Sequence, residues 1–552
     1  LTVCRYSRSS LFLLLASLAW AQDVPDPYRW LEDAASARVQ HWVQEQNKAA
    51  EVYLAKLPGQ DALRARLQEL YDVNSVSLPK QAGTRLFYKR TLASQDRPTF
   101  FWQPLNHPDA EQAWLEAGQW PTSTSIGEWN PSPKGTYVTY TTHPKGADEA
   151  TLHVRNLASG LDEPRDVIPG ANFADVSWTP DESGFYYMRL PVDPAIPAVD
   201  RVAHADLRYH ALGHSPERDG LMYPPTGDSS VYLTPQLSAD GRWLFVILAR
   251  GWTSNSIYYA DRRGPAVSFK PLFVSTSAIA SVSAWQGRFY IETNEAAPHG
   301  KVLRKKPQEA GWDTVIPERS SVTIESMHLA GGYIVLSVLK NAANEVEVYR
   351  PDGQRVWQVP IPAEGKVWEL SGREDLDTLY IEYESFFVPP RIYRADLRTR
   401  TLSIWDQAQI DIDSSRFQVD LVWYPSKDGT PISMMVVHRK NVQKNGQNST
   451  LLEGYGGFNT PILPRFSQEA LVWLEHGGVY AVPHLRGGGE YGEAWHQRGM
   501  LTHKQNTFDD FAAAAEFLIK EGYTTPAHLA IQGASNGGLL VTAAMTQHPE
   551  LF

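Results

Sequence analysis

Leu529-Ala530-Ile531-Gln532-Gly533-Ala534-Ser535-Asn536-Gly537-Gly538-Leu539-Leu540 is the stretch on which the reading of this chain turns. Its first four residues read as a short apolar strand, and Gly537 to Gln547 reads as a helix. Between them Gly533-Ala534-Ser535-Asn536-Gly537 fits G-x-S-x-G. Alone the pattern is weak, because glycine and serine are common residues. Between a strand and a helix it gains meaning. A sharp turn there holds the serine in a strained conformation with Oγ projecting, and the glycines keep side chains out of the turn. Ser535 is thus a candidate nucleophile. The backbone N–H of Asn536, helped by the start of the following helix, would face a developing oxyanion. A Gly-rich helix start without chemistry is the competing reading.

Upstream of the motif, apolar strands alternate with amphipathic helices from about residue 411. Val422–Gly429 and Pro431–Val437 read as a hairpin, and Val479–Leu485 as a strand. The helix predicted over Thr507–Glu521 places Phe508, Phe511, Ala512, Ala515, Leu518 and Ile519 on one face. Such alternation predicts an α/β layer fold with a mainly parallel sheet. A second oxyanion donor should leave the end of an earlier strand. Gly454-Tyr455-Gly456-Gly457-Phe458-Asn459 is placed for this, with the Tyr455 phenol as donor or, more plainly, as a packed loop tyrosine.

Residues 73–410 have another texture, short strands divided by Gly, Pro, Asp and Asn. A turn ending in Gly, followed by an aromatic or aliphatic strand, recurs at Gly83, Gly135, Gly184, Gly241, Gly287 and Gly332, with a degenerate copy at Asp377. The successive spacings are 52, 49, 57, 46, 45 and 45 residues. A period near 50 with about four strands per unit predicts a seven-bladed β-propeller. A pair of β-sandwiches predicts no such period.

Residues 22–72 read as a helical segment. Val39, Trp42, Val43, Ala50, Tyr53, Leu54 and Leu57 share one helical face, Pro58-Gly59 stops it, and a shorter helix ends near Tyr71. This segment is expected to pack on the α/β domain that begins near residue 411. Residues 1–21 have the order of a signal peptide. Arg5 and Arg8 precede the apolar run Leu11–Trp20, and Ala19-Trp20-Ala21 offers a cleavage site after Ala21. The expected location is periplasmic or secreted; a buried N-terminal helix is the alternative. Cys4, the single cysteine, would leave with the leader, excluding thiol catalysis and cysteine-based zinc sites from the mature chain. Losing Arg5 and Arg8 leaves 49 basic against 62 acidic residues, a net charge of −13. No basic cluster interrupts it, so nucleic acid is not an expected partner, and no apolar run is long enough for a stable membrane span after cleavage.

Four segments together resemble the prolyl oligopeptidase family: Pro27-Tyr28-Arg29-Trp30-Leu31-Glu32, Gly454–Asn459, Arg486-Gly-Gly-Gly-Glu490-Tyr-Gly-Glu493-Ala-Trp-His496 and Gly533–Gly538. The resemblance spans essentially all of the mature chain and implies an α/β-hydrolase domain carrying an inserted propeller. It makes Ser535 the nucleophile, Asn536 and Tyr455 the oxyanion contacts, and Phe458 similar to a residue lining the substrate cleft. Ala534 departs from the glycine common at that position. Asn536 and the GYGGFN segment favour the prolyl branch over oligopeptidase B, which usually has Ala after the serine, and over acylaminoacyl peptidases, which usually have His. The implied activity is hydrolysis of short peptides after proline through an acyl-enzyme. The expected enzyme is monomeric and uses no cofactor or metal, with the propeller limiting substrate size. A non-catalytic propeller binding protein with a degenerate hydrolase domain is the rival.

Two patterns invite other chemistry. Gly487-x-Gly489-x-x-Gly492 satisfies a dinucleotide fingerprint, but Glu490 and Glu493 would crowd a pyrophosphate with negative charge, and the carboxylates about 20 residues on, Asp509 and Asp510, fall in a helix rather than at a strand end. His476, His484, His496 and His503 lack any metal-ligand spacing. In hydrolases of this fold the triad order is Ser, then Asp or Glu, then His. His548 and Glu550, at the end of the helix after Ser535, are not placed to turn back onto Oγ. The triad acid and base are therefore expected beyond Phe552, and residues 1–552 alone are expected to be inactive.

Overall fold

The computed structural model describes residues 26–146, 149–264 and 267–552; the leader read in residues 1–21 lies outside them. The chain divides after Ala65 into two compact units. In the smaller, helix α1 (Ala37–Leu54) begins where Ser36 Oγ accepts the Val39 N–H at 3.3 Å, satisfying one of the free donors of the first turn. Of the apolar face read into α1, only Val39 is buried. Helix α2 (Gln60–Tyr71) enters the larger unit at Arg66. There Leu70 packs with Leu471 and Tyr480 of the α/β domain, and Arg66 pairs with Glu475 at 2.7 Å.

Seven antiparallel sheets follow one another from residue 75 to 407, each a blade of four main strands. Their second strands are the most apolar: Phe245, Val335 and Ile381 are fully buried. Five of the turn glycines read from the repeat adopt positive φ, namely Gly83, Gly135, Gly241, Gly287 and Gly332. Gly184 serves differently, since a Cβ there would lie 2.1 Å from His210 O. Among the described residues no ladder joins the first and last blades. Their seam is closed by side chains: Trp405 packs on Tyr88 and Tyr380, and Ser371 Oγ donates to Pro79 O at 2.7 Å.

After the propeller, five strands form one sheet in the order Phe417–Pro425, Pro431–Arg439, Val479–Pro483, Thr450–Glu453, Leu529–Gln532. The last three are parallel to one another. Side chains alternate across this sheet with period two. Met435, Val437 and Val482 meet helix α3 (Gln468–Glu475) and Leu70; beyond the short helix α4 (Glu493–Gln497), helices α5 (Gln505–Lys520) and α6 (Asn536–Gln547) meet Met434, Val436 and Ala481. Coverage on both faces is what a largely parallel sheet requires. Thr450–Glu453 lies between the strand that follows α3 and the strand that precedes α6. The chain thus reverses its winding there, and the loops leaving the carboxyl ends of adjacent strands meet over one crevice.

Candidate active site

Two of these loops build the site. Glu453 is in register with Gln532, so Gly454 and Gly533 leave the sheet side by side, and Gly454 N–H donates to Gln532 O at 3.1 Å. Ser535 sits between the Leu529–Gln532 strand and α6 with φ 57° and ψ −118°, a conformation costly for a residue with a side chain. Its side chain is exposed. The turn is tight enough to dictate its glycines: a Cβ at Gly533 would lie 2.3 Å from Gly537 O, and one at Gly537 would lie 2.5 Å from Gly454 O. The strained elbow predicted from the motif is therefore present.

Asn536 is the first residue of α6, and its backbone N–H has no acceptor among the described residues. Its side-chain amide donates to Tyr455 O, which ties the nucleophile turn to the Gly454–Asn459 loop. Gly457 makes that approach possible, because a Cβ there would lie 2.5 Å from Asn536 Nδ2. Tyr455 is half-buried beside the turn, and its phenol has no hydrogen-bond partner among the described residues. The structure thus places Ser535, Asn536 and Tyr455 on two adjoining loops, as the sequence reading required. Phe458 holds φ +55°, is 47% exposed, and meets Trp252 of the fourth blade edge to face at 5.1 Å between ring centroids. The sequence carried no signal for Trp252, which sits in an ordinary hairpin turn of the repeat.

The Arg486–His496 segment supports this pair of loops from behind. Its glycines are packing glycines: added Cβ atoms at Gly487, Gly489 and Gly492 would lie 2.5 Å from Gly456 O, 2.4 Å from Asn459 O and 2.4 Å from Pro298 O. Glu490 does not crowd the segment with charge, because burial pushes its carboxyl up to about 8 while Ile462 N–H donates to it at 2.8 Å. Burial thus favours its neutral form. Arg486 is 2% exposed, with Nη2 2.5 Å from Asp510 Oδ1 and Nη1 2.5 Å from Asp428 Oδ2. The apolar face predicted for α5 therefore contains a buried acid, which no periodicity argument reveals.

The four histidines do not converge. His484 is fully buried with Nδ1 2.7 Å from Ser433 Oγ, and burial holds its imidazole down to about 3; His496 pairs with Glu493, and His476 with Val472 O. Among the described residues no histidine hydrogen-bonds to Ser535. His548 pairs with Glu550 at 3.2 Å beyond the far end of α6, roughly 18 Å from Ser535 by helix rise.

The whole arrangement has close relatives. Residues 19–408 match the family described as prolyl oligopeptidase, N-terminal β-propeller domain, and residues 464–552 match the prolyl oligopeptidase family. A prolyl endopeptidase from Elizabethkingia meningoseptica is 30% identical over 538 residues, covering 96% of this chain and 75% of that protein. A structure from a study of two prolyl endopeptidases and their inter-domain dynamics is 43% identical with a TM-score of 0.91, covering 96% of this chain and 78% of that one. Prolyl oligopeptidase B from Galerina marginata, 27% identical, superposes with a TM-score of 0.88 when bound to a 35mer substrate and 0.77 as apo protein, over 96% of this chain and 78–79% of that one. With its propeller and its hydrolase segment both matched, and its fold superposing over 96% of its length, this chain belongs to the prolyl oligopeptidase family.

Proposed function

We propose that the protein carrying this chain is a serine endopeptidase that cleaves short peptides on the carboxyl side of proline. The observation that carries the proposal is the pairing of a strained, exposed Ser535 with two free donors, the Asn536 N–H and the Tyr455 phenol, on adjoining loops. Ser535 Oγ attacks the scissile carbonyl, and the negative charge on its oxygen is received by those donors, whose orientation is fixed before the reaction starts. Collapse of the tetrahedral species expels the amine and leaves an acyl-enzyme, which water hydrolyses. Proton transfer needs a histidine that the described residues do not bring to Ser535. The 552-residue chain by itself is therefore expected to turn over no prolyl substrate. Phe458 offers an aromatic wall suited to a proline ring, and Trp252 brings the propeller to the same cleft.

Support for proline specificity comes from Asn536, from the GYGGFN segment and from the relatives named prolyl endopeptidase. The test is the full-length gene product assayed with matched prolyl, arginyl and acetyl-alanyl anilides. Turnover of the prolyl substrate, abolished in Ser535→Ala, is expected; preference for arginine would overturn the assignment. We also propose export, with residues 1–21 removed. It rests on the order of positive charge, apolar run and small residues, and N-terminal sequencing of the exported protein should begin at Gln22. The enzyme is taken to act as a monomer, which light scattering of the purified protein checks.

A further inference from the structure

The Gly454–Asn459 loop is held from two sides. The carbonyl of Tyr455 accepts from Asn536, and the carbonyl of Gly456 accepts from Lys504 Nζ at 2.6 Å. These are consecutive peptide groups, the two that follow the Tyr455 side chain. Gly456 holds φ +61°, and a Cβ there would lie 2.3 Å from Thr507 Cγ2, so the bend is fixed by crowding as well. With Asn536 on one carbonyl and Lys504 on the next, the Tyr455 backbone has little freedom to rotate.

Lys504 occupies a costly position. It is half-buried, and burial alone pushes its ammonium down to about 8, with no carboxylate offsetting the shift. It also sits at the start of α5 with helical dihedrals (φ −60°, ψ −28°), where the positive end of the helix dipole opposes a cation. Among the described residues its ammonium's one hydrogen-bond partner is a backbone carbonyl outside α5. Its contact is to the loop that presents Tyr455.

We propose that Lys504 is a positioning residue for catalysis, fixing through the Gly456 carbonyl the backbone from which Tyr455 presents its phenol to the oxyanion. This deepens the reading of Ser535 and Tyr455 given above and rests on it. Lys504 acts through Tyr455, so its effect belongs in the transition state rather than in substrate binding.

The test has two arms. In the full-length enzyme with a prolyl anilide, Lys504→Met should lower kcat by about ten- to a hundredfold, less than or similar to loss of an oxyanion donor, with KM changed less than about twofold. Lys504→Arg should restore most of the loss. In a Tyr455→Phe background, Lys504→Met should cost almost nothing further, because coupled residues are not additive. Full additivity, or an effect confined to KM, would overturn the proposal; the latter would make Lys504 a substrate contact. The second arm needs no activity. Hydrogen exchange of the 552-residue chain should show faster exchange across residues 454–459 in Lys504→Met, with α5 and α6 protected as in wild type and Lys504→Arg unchanged. Unaltered exchange in the loop would overturn the positioning role even if prolyl turnover is found. Absence of prolyl turnover in wild type with the loop loosened would instead remove the activity reading alone.

Discussion

Two buried cations, one in each large domain, are each flanked by two carboxylates and answer different needs. In the third blade His210 is fully buried between Asp166, 2.8 Å from Nε2, and Asp219, 2.9 Å from Nδ1, and Tyr187 also donates to Asp219. Those carboxylates push the imidazole up to about 9, against a burial that would lower it. In the peptidase domain Arg486 sits between Asp510 and Asp428, and Asp510 is also bonded by Ser426. A guanidinium keeps its charge at any ordinary pH, whereas an imidazolium does not. The Arg486 cation behind the catalytic loops therefore persists across the working pH range, and the cation that clamps a blade does not. The blade is repetitive structure that needs only to stay folded. The catalytic loops need a fixed geometry across the working range.

Four experiments would break or sharpen that contrast. The largest effect is expected from Arg486→Met, which strands Asp510 uncompensated in the core. A loss of about 3–5 kcal/mol is expected in chemical denaturation of the peptidase domain, nearly constant from pH 6 to 9. His210→Gln should cost about 3 kcal/mol near neutral pH, read as earlier unfolding of the propeller. Its pH dependence carries the diagnosis. A histidine whose folded pKa lies near 9 and unfolded pKa near 6.5 stabilises fully below 6.5 and loses that stabilisation as pH rises through 9. Wild type should show that decline and His210→Gln should not.

Glu490→Gln tests the opposite sign within the peptidase domain. Its folded pKa of about 8 lies above the unfolded 4.5, so the buried acid weakens the fold increasingly as pH rises from 4.5 to 8. The neutral amide keeps the shape, and thermal melts at pH 9 should show a gain on the order of 2 kcal/mol with none at pH 4. The smallest change is expected from Trp252→Ala, which removes the ring contact to Phe458. About 0.5–1.5 kcal/mol should be lost from the contact between propeller and α/β domain, measured as a larger radius of gyration by small-angle scattering.

The nucleophile was legible because strand, turn and helix are contiguous in the chain, and the elbow's glycines and serine are adjacent letters. The blades were legible because a turn glycine recurs near every fiftieth residue, although Gly184 keeps the pattern for a packing reason and Glu182 takes the positive φ in that turn instead. What stayed hidden was pairing across distance. Asp510 reads as a polar interruption of α5 until Arg486 is seen beside it. Glu490 reads as a charge until its burial is known. Trp252 and Phe458 are 206 positions apart, and nothing local marks the first. Lys504 looks like a surface lysine before a helix, because its partner is a carbonyl, and carbonyls have no letter.

The three spaced glycines of the Arg486–His496 segment carry a consequence for mutational scanning. Two face the Gly454–Asn459 loop, at Gly456 and Asn459, and the third faces Pro298, so the segment is a junction where it touches two other stretches of main chain without side chains between them. Even alanine should fail at these positions in a saturation library, while the Glu490 carboxyl between them tolerates replacement by an amide. Intolerance here would mark steric exclusion rather than chemistry, and the most restricted positions of the domain need not be the ones that touch substrate.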